Sequence, residues 1–566
     1  MKTVNLKHDS AVKHVTGQSV YVNDITTHRQ LVGRVVYSPV AHARISLLDT
    51  KAALKLNGIA AILTSKDIPG ENQMGPVIHD ELCLASDEVT FIGQAIVLIA
   101  AENEEAALKA EKLIRIEFEE LESILTLQDA IKKGALIAPV RTIESGNVEE
   151  IFKSAPHVLK GELETGAQEH WYLETQSALA IPGEGKEMHI YASSQNPAET
   201  QAIVAEVLGV SKNEIDVEVR RMGGGFGGKE TQGNHVAAWA ALLANATRRP
   251  VGIHLFRDDD QKITGKRHRF LSKYQVAFND EGRILAYSVE LNSDAGAATD
   301  LSRAILERAM LHAENAYYIP DIKIVGKAYK TNLPSNTAFR GFGGPQGMAV
   351  IETAIDRMAR FLKKDPAEIR KLNFYGFNDR NITPYGETIS NNHLHVMYDQ
   401  LLASSGYTNR RHEIEKFNRE HEFVKRGISL TPVKFGISFT TAFLNQAGAL
   451  VHIYTDGTIA VNHGGTEMGQ GLNTKIHGIA AAEFGVSPDF IKVSITNTSK
   501  VPNTSATAAS SGSDLNGMAV KNAIEKLKSR LAEVASTELN ARLKKDSIVP
   551  GQVVFAENFV FSSTYP

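Results

Sequence analysis

The stretch RRMGGGFGGKET at residues 220–231 dominates this sequence, because its glycines interrupt any regular helix or strand. An alternating strand pattern precedes it, and an apolar helical pattern follows it. Gly223, Gly225 and Gly228 fit the dinucleotide motif G-x-G-x-x-G, yet no acidic residue follows about 20 positions later to hold a ribose. The P-loop pattern fails too, since Glu230 stands where serine or threonine would ligate magnesium. The stretch therefore predicts a strand–loop–helix unit for another kind of ligand.

Two further glycine-rich turns, at residues 341–347 and 464–471, are similar to the turn at residues 223–228. In such turns backbone N–H groups can point toward a ligand, and the start of a following helix favours an anion. Three turns of this kind in one chain predict a large anionic ligand that is contacted from several sides.

A short internal sequence similarity, which we call the internal echo, relates residues 205–219 to residues 482–495. Each segment has the pattern of a helix that ends at a glycine, Gly209 or Gly485, where a left-handed C-cap is favoured. A serine turn and an alternating strand follow in both. We interpret the echo as two related halves that face each other across one ligand, although such units also recur by chance in α/β proteins.

The first 125 residues have the pattern of a small α+β unit. Residues 31–39 and 95–101 are strand-like, residues 103–114 have apolar positions at helical spacing, and residues 115–121 alternate as a strand. Beyond this unit the sequence becomes richer in glycine and mixes strand and helix patterns. We expect three further segments: a linker at 126–150, a first ligand-binding part at 151–400 and a second at 401–566.

Composition and charge exclude several classes of protein. The 566 residues are 43% hydrophobic and 22% charged, which excludes a disordered chain, a collagen and a disulfide scaffold. The net charge of −4 gives no electrostatic signal for nucleic acid. The first fifteen residues lack the apolar region of a secretory signal, and the most apolar run is too short to span a membrane. We therefore expect a cytoplasmic protein with no nucleic-acid or membrane partner.

Metal-binding side chains are scarce. Cys83 is the single cysteine, so the chain has neither the four ligands that an iron–sulfur cluster usually takes nor a cysteine-based zinc site. There is no H-E-x-x-H motif, and His393 and His395 lie in a polar turn. A metal in this protein would have to be carried by an organic ligand of its own.

Several residues are candidate ligand contacts, and each has a structural alternative. On residue type alone, Glu230 more often stabilises the first turn of a helix, and Arg308 has an adjacent glutamate as a surface partner. Arg340 has aromatic and glycine neighbours, which predict partial burial and hence a need for an acceptor. Phe342 and Phe439 are candidates for clamping a planar ligand, although phenylalanine more commonly packs in the core.

Longer stretches carry a resemblance to a known family. They are GQSVYVNDI (17–25), SSQNPAETQ (193–201), RRMGGGFGGKET (220–231), TNLPSNTAFRGFGGPQGM (331–348), KFGISFTTAFLNQAGALVHIYTDG (434–457), HGGTEMGQGLNTK (463–475) and VPNTSATAASSGSDLNG (501–517). Together they resemble the molybdenum-cofactor subunit of the xanthine dehydrogenase and aldehyde oxidase family, over nearly the whole chain through residue 540. The resemblance implies an α+β fold: an N-terminal hammerhead-like α/β domain, residues 1–125, and two related molybdopterin-binding α+β subdomains, the second incomplete.

The resemblance also implies a cofactor. In that family the glycine turns hold molybdopterin, often in a dinucleotide form, and the pterin dithiolene holds the molybdenum. The resemblance places these residues at the metal centre and its cofactor: Gln195, Phe226, Gly227, Arg340 and Ala509. It places these along the pterin: Met468, Gln470, Ser510 and Ser511.

A purine substrate is implied as well. Phe342 and Phe439 match phenylalanines that sandwich a flat purine, and Thr440 follows at the substrate pocket. Glu230 and Arg308 match the charged pair that orients xanthine and stabilises charge on its oxygens, whereas related aldehyde oxidases carry apolar residues there. The implied reaction hydroxylates hypoxanthine to xanthine and xanthine to urate with oxygen from water.

Partner subunits follow from the resemblance and the single cysteine. The resemblance implies that the electrons leave through [2Fe-2S] clusters to FAD, and the single cysteine cannot supply the ligands of such clusters. We therefore expect iron–sulfur and FAD subunits as partners, in a heterotetramer or a larger assembly.

One departure concerns the general base of the family, a glutamate in a Gly-Glu-Pro-Pro stretch near the C-terminus. No such stretch occurs here, and the chain stops at FVFSSTYP, residues 559–566. The resemblance therefore implies a truncated subunit that is inactive on its own. Two alternatives stay open: a molybdenum oxidoreductase of aldehydes or N-heterocycles, and a non-catalytic remnant that still binds partners.

Overall fold

The apolar run Ala95–Ala101 forms a fully buried strand, as its aliphatic composition predicts. The computed structural model describes residues 6–565 of the chain. Its strands are β1 (Leu31–Tyr37), β2 (Ala43–Asp49), β3 (Ile59–Leu63), β4 (Glu88–Val89), β5 (Ala95–Ala101), β6 (Arg115–Glu120), β7 (Arg141–Ser145), β8 (His157–Thr165), β9 (Ser177–Pro182), β10 (Met188–Ala192), β11 (Ile215–Val219), β12 (Val251–His254), β13 (Phe270–Phe278), β14 (Ile284–Gly296), β15 (Asp321–Lys330), β16 (Ala449–Ile453), β17 (Ile459–His463), β18 (Ile491–Val493), β19 (Thr496–Asn497), β20 (Val553–Ala556) and β21 (Phe559–Ser562).

Fifteen α-helices accompany these strands within the described residues. They are α1 (Ala11–Val15), α2 (Lys51–Leu54), α3 (Glu104–Leu113), α4 (Leu127–Lys133), α5 (Val148–Ser154), α6 (Pro197–Leu208), α7 (Gly233–Thr247), α8 (Arg257–Ile263), α9 (Ser302–Met310), α10 (Gly344–Leu362), α11 (Pro366–Asn373), α12 (Leu394–Ser404), α13 (Tyr407–Glu420), α14 (Leu472–Phe484) and α15 (Gly512–Leu543). The chain thus mixes helices and strands along its whole length, which confirms the predicted fold class.

An eight-stranded sheet joins the N-terminal unit to the part that follows it, in the order β19-β11-β10-β9-β12-β1-β5-β3. Strand β1 pairs in parallel with β12, where Leu31 lies beside Val251, and antiparallel with β5. Helix α7 packs on this sheet, and its Trp239 donates a 3.1 Å hydrogen bond to the carbonyl of Cys83. The N-terminal unit therefore shares one core with the cofactor-side residues that follow and is not a separate lobe.

The rest of the N-terminal unit matches its sequence pattern. A three-stranded sheet β4-β2-β6 is present, and α3 contributes Ala106, Ala107 and Ala110 to the buried interior. The side chain of Asn103 caps α3 by accepting a 2.9 Å hydrogen bond from the Ala106 N–H, as Asn at an N-cap usually does. The helix and the strand predicted after it are both confirmed.

A five-stranded sheet, β7-β15-β14-β13-β8, forms the second layer and supports α9 and α10. The linker predicted at residues 126–150 is wrong, because this segment carries α4 and β7 and begins α5. Thr126 caps the start of α4, and Gly134 ends it in the left-handed region at φ 66°. Strand β7 pairs antiparallel with β15, so these residues are an edge of the sheet.

The internal echo corresponds to a repeated βαβ unit. In β10–α6–β11 and in β17–α14–β18 the two strands are parallel, and the helix connects them. Both helices end at the predicted glycines, Gly209 at φ 64° and Gly485 at φ 69°. Strand β19, which follows the second unit directly, pairs with β11 of the first, so the two halves meet along one strand pair.

Helix α15, with 32 residues, is the longest in the chain and packs on α14. It carries charged side chains throughout its length. Within residues 6–565 no helix combines the length and the apolar character needed to cross a bilayer.

Candidate functional site

The three glycine-rich turns meet at one cleft of about 560 Å³. Its walls are formed by residues 225–230, 338–342, 468–475 and 507–513. The first three walls lead into α7, α10 and α14, and the last leads into α15. The structure therefore brings the turns to one ligand-sized space, as their shared pattern predicts.

The Gln195 side chain links two of these walls through hydrogen bonds. Its side-chain oxygen accepts hydrogen bonds from the backbone N–H groups of Gly227 (2.9 Å) and Lys229 (3.3 Å). Its amide group donates to the carbonyl of Thr507 (3.2 Å), and the Thr507 N–H donates to the Gln195 carbonyl (2.9 Å). Because Gln195 is 2% exposed, these bonds hold the first glycine turn against the wall at residues 507–513.

Four non-glycine residues of the cleft have backbone in the left-handed region, which is costly for side chains other than glycine. They are Phe226 at φ 55°, Phe342 at φ 50°, Ala509 at φ 52° and Ser510 at φ 56°. Such conformations concentrate where the surrounding structure holds the backbone in place for a ligand. All four belong to walls that the sequence predicted to contact the cofactor.

A buried ion pair supports the first glycine turn. The Lys229 side chain is fully buried, and its Nζ lies 3.0 Å from the Glu174 carboxylate. The same Glu174 oxygen accepts a 2.8 Å hydrogen bond from the Gly223 N–H, and Lys229 Nζ lies 4.7 Å from the centre of the Tyr172 ring. Burial lowers the pKa of Lys229, and Glu174 counteracts this shift. The pair therefore anchors both ends of the turn.

Glu230 lies in the cleft and outside helix α7. The helix begins at Gly233, so Glu230 is not in its first turn and the helix-stabilising alternative does not apply. Its side chain is 4% exposed. Burial raises the pKa of Glu230 to about 8, with further contributions from Glu199 and Asp300 and an opposing one from Arg308. At neutral pH most of the Glu230 carboxyl is therefore protonated and can donate a hydrogen bond.

Arg308, on α9, is a second buried ionisable side chain of the cleft. Its two Nη atoms donate to backbone carbonyls in the coil at residues 436–438, and its buried Nε has no protein partner. No described carboxylate lies within 4.0 Å of it, so it forms no ion pair with Glu230. Its guanidinium carbon lies 5.8 Å from the Phe342 ring centre and 5.6 Å from that of Phe435. Burial lowers the pKa of Arg308.

Most of the residues predicted from the resemblance line the cleft. They are Gln195, Phe226, Gly227, Glu230, Arg308, Arg340, Phe342, Met468, Gln470, Ala509 and Ser510. Three others do not line it. The Phe439 N–H donates to Asn445, the Thr440 hydroxyl donates to Glu307, and Ser511 is the N-cap residue of α15 with its hydroxyl donating to Ala508.

The partial burial predicted for Arg340 is wrong. Its side chain is exposed at the edge of the cleft, while its backbone N–H donates to the Phe226 carbonyl (2.9 Å) and its carbonyl accepts from Arg267 (2.9 Å). The turn in which Phe342 N–H bonds back to the Phe339 carbonyl directs the chain outward here. The guanidinium is thus hydrated and available to a ligand in the cleft.

Several contributors were not predicted from the sequence. Phe435, and not Phe439, lies beside Arg308 and lines the cleft together with Phe342. Lys475 also lines it, one turn into α14. Phe435 could have been noticed as an aromatic residue in the quoted stretch KFGIS, but nothing in the sequence favours it over Phe439 four positions later.

The donor set of the cleft suits an organic anion that brings its own metal. Hydroxyls of Ser510 and Ser513, the Gln470 amide and the cations Arg340 and Lys475 line it. No histidine or cysteine does, and the one group of at least three metal-ligating side chains among residues 6–565 lies elsewhere, at His8, Asp9 and Glu467. The cleft therefore fits a ligand with phosphate and ring hydrogen-bonding groups rather than a bare ion.

Matches to known protein families identify the class of this ligand. Residues 16–122 match the aldehyde oxidase and xanthine dehydrogenase a/b hammerhead domain, and residues 131–374 and 400–564 each match a molybdopterin cofactor-binding domain. The chain belongs to the aldehyde oxidase and xanthine dehydrogenase family. Its cleft therefore lies between two molybdopterin-binding domains, and the exposed cations, hydroxyls and left-handed backbone described above are suited to that cofactor.

Relatives in this family cover almost the whole chain. It is 47% identical over 543 residues to xanthine dehydrogenase of Dictyostelium discoideum, which covers 96% of this chain and 40% of that protein. It is 44% identical over 536 residues to xanthine dehydrogenase/oxidase of Gallus gallus, which covers 94% of this chain and 39% of that protein. The chain thus spans about 40% of the length of these curated relatives.

Solved structures share the fold. Aldehyde oxidoreductase from Desulfovibrio gigas superposes with a TM-score of 0.83 at 26% identity, covering 95% of this chain and 61% of that one. Quinoline 2-oxidoreductase from Pseudomonas putida 86 gives a TM-score of 0.86 at 22% identity, covering 99% of this chain and 74% of that one. The agreement confirms the arrangement of hammerhead and molybdopterin-binding domains.

The close approach at Gly225 gives a test of the cofactor cradle. A Cβ at Gly225 would lie 2.6 Å from Gln195 Oε1 and 3.1 Å from Met468 Sδ, so Gly225→Ala must displace the fastening amide. Overpacking of this kind costs roughly 1–3 kcal/mol. We expect the affinity for the cofactor to fall by about five- to a hundred-fold, and the molybdenum content per purified chain to fall with it.

The matched control is Gly166→Ala, where an added methyl group meets open space. It should leave molybdenum content and the thermal unfolding midpoint unchanged. Full molybdenum loading in Gly225→Ala would show that the first glycine turn does not hold the cofactor.

Proposed function

We propose that this chain is the molybdopterin-binding part of a xanthine dehydrogenase-type hydroxylase whose substrate is a purine. One observation carries the proposal: Glu230 and Arg308 line the same cleft, both are 4% exposed, they form no ion pair, and the Glu230 carboxyl makes no hydrogen bond to another described residue. Two buried polar groups of this kind call for a ligand with complementary acceptors. The carbonyl oxygens and ring nitrogens of a purine supply them.

The overall change is C–H plus water to C–OH, with release of two electrons and two protons. Molybdopterin, when bound, supplies the molybdenum centre that accepts the electron pair. Gln195, the backbone at Phe226–Gly227 and the wall at residues 507–513 would hold it. The protein's own side chains have a different task, which is to fix the purine and to stabilise charge that develops on its oxygens.

Glu230 and Arg308 perform that task from two sides. The protonated Glu230 carboxyl donates one hydrogen bond, and Arg308 adds a fixed positive charge and an N–H donor. Phe342 and Phe435 flank the guanidinium and provide apolar surface for a flat ring. Because Glu230 and Arg308 are largely shielded from solvent, donors that they aim at developing negative charge lower the barrier more than they would in water.

We also propose that the general base and the electron carriers lie outside these residues. Glu230 is the sole carboxylate among the described residues that line the cleft, and its raised pKa suits a donor better than a base. The lone Cys83 is buried, and burial raises the pKa of its thiol to about 12, so it is a poor ligand for a cluster. Iron–sulfur and flavin subunits are therefore the proposed partners.

The pH dependence of substrate affinity tests this function. The Glu230 donor is present below pH 8 and is lost as the pH rises through about 8, because the carboxyl then ionises. In the complete holoenzyme, which also contains the general base and the iron–sulfur and flavin subunits, we expect the KM for hypoxanthine to rise about tenfold between pH 7 and pH 9. Steady-state kinetics across this range measure the effect.

Two comparisons isolate Glu230 from other titrating groups. In Glu230→Gln the amide donates at every pH, so the rise in the hypoxanthine KM should flatten, and any titration of the substrate itself cancels in the comparison. The KM for benzaldehyde should not follow the same curve. An enzyme that turned over benzaldehyde but did not turn over hypoxanthine at any pH would not be a purine hydroxylase.

A further inference from the structure

A second concave surface, which we call the basic groove, has a volume of about 520 Å³. It is lined by the segments at residues 9–20, 218–221 and 492–500, together with Asn473. It shares no lining residue with the cofactor cleft. Its size is within the range of small-molecule sites, and the proposed function assigns it no role.

The groove concentrates positive charge from three separate segments. Five cationic side chains line it: Lys13, Arg220, Arg221, Lys492 and Lys500. Two carboxylates line it as well, so cations exceed carboxylates by three. The Glu218 carboxylate accepts a 3.1 Å hydrogen bond from Arg220, whereas the other four cations have no carboxylate partner within 4.0 Å among residues 6–565.

Arg221 is the strongest sign of a missing acceptor. Its Nε is buried and has no hydrogen-bond partner within the described part of the chain. A buried donor without a partner costs about 1–3 kcal/mol, and more when it is charged. The Nη groups of Arg221 make no hydrogen bond to the described residues and are not buried, so they are the donors that an anion in the groove would meet, and an Arg fork suits the geometry of a phosphate.

The groove lies where the two halves of the protein meet. Strand β19 pairs with β11 here, with Asn497 beside Glu218. Arg221 precedes the first glycine turn by two residues, and Asn473 directly follows Leu472, which lines the cofactor cleft. A ligand in the groove would therefore contact the segments that continue into two walls of the cleft.

We propose that the basic groove binds a small ligand that carries a diphosphate group. A diphosphate matches the excess of three positive charges, and a single phosphate would occupy only part of the groove. The Ser494 hydroxyl and the Asn473 amide supply neutral donors beside the cations. The ligand joins residues 220–221 of the first half to residues 492–500 of the second.

Calorimetric titration of the cofactor-loaded protein with inorganic pyrophosphate tests the proposal, since the loaded cleft then offers no second phosphate site. We expect one binding event that weakens as salt is added. Arg221→Gln and the double variant Lys492→Gln/Lys500→Gln should each weaken it by about tenfold or more, because each removes charged hydrogen-bond donors.

The matched control is Lys55→Gln/Lys186→Gln, which removes two exposed lysines elsewhere and should leave the affinity unchanged. Thermal midpoints of all variants show whether each is folded. No pyrophosphate binding, or binding that the groove variants leave intact, would overturn the proposal. Equal affinity for citrate would reassign the groove to general polyanion attraction, and tighter binding of a hexaglutamate peptide would reassign it to an acidic protein partner.

Discussion

Replacing Arg308 with methionine is expected to lower kcat/KM for hypoxanthine by about 10²- to 10³-fold, the usual cost of removing one donor from a site of developing charge. Methionine fills much of the same space beside Phe342 and Phe435 but offers neither charge nor N–H. Because Arg308 acts on charge that grows during the reaction, most of the loss should fall on kcat. Steady-state kinetics of the assembled holoenzyme separate the two constants.

Arg303→Met is the control, because Arg303 lies on the same helix α9 with its side chain exposed. It should leave both kinetic constants within about twofold, as surface substitutions usually do. Kinetic constants are taken per bound molybdenum, because Arg308 also holds the coil at residues 436–438, and the Ser438 N–H donates to the Ala509 carbonyl of one cleft wall (2.8 Å). A fully loaded Arg308→Met enzyme with unchanged hypoxanthine kinetics would rule out purine orientation by this guanidinium. Improved turnover of aldehydes in that variant would support the assigned difference between substrate classes.

Local rules were sufficient to predict the elements that carry the cleft. Gly209 and Gly485 end their helices because a left-handed residue closes a C-terminus, a requirement that the sequence displays directly. The three glycine turns could be predicted in the same way, because glycine adopts the positive φ values that such turns require. The repeat explains part of their convergence, because the turn at residues 223–228 follows β11 and the turn at residues 464–471 follows β17, each at the end of a parallel strand of its unit. The turn at residues 341–347 lies outside the repeat.

Features that depend on residues distant in sequence could not be predicted. The merging of β1 and β12 into one sheet joins residues 220 positions apart, and no local pattern reports such a pairing. The choice of Phe435 over Phe439 depends on how an irregular coil crosses α9, where periodicity is absent. The linker at 126–150 was mispredicted because its helix and strand are short and depend on the neighbouring sheet.

The buried ion pair between Lys229 and Glu174 also joins residues distant in sequence. We expect that removing one partner lowers the stability of the fold strongly. Lys229→Met leaves the Glu174 carboxylate, 9% exposed, without its cation, although it still accepts from the Gly223 N–H. Breaking a buried pair from one side typically costs about 3–5 kcal/mol. We expect a corresponding fall in the urea midpoint, followed by the fluorescence of Trp239, which is 4% exposed and lies on the adjacent helix α7.

The double variant Lys229→Met/Glu174→Gln distinguishes an uncompensated charge from a simple loss of packing. The glutamine removes the unpaired charge and keeps an oxygen for the Gly223 N–H, so it should recover part of the lost stability. Lys109→Met, which breaks an exposed pair with Glu105, should cost less than about 1 kcal/mol. If the double variant were no more stable than Lys229→Met, the Lys229 side chain would support the turn through its contact with Tyr172, and Glu174 would not need a cation.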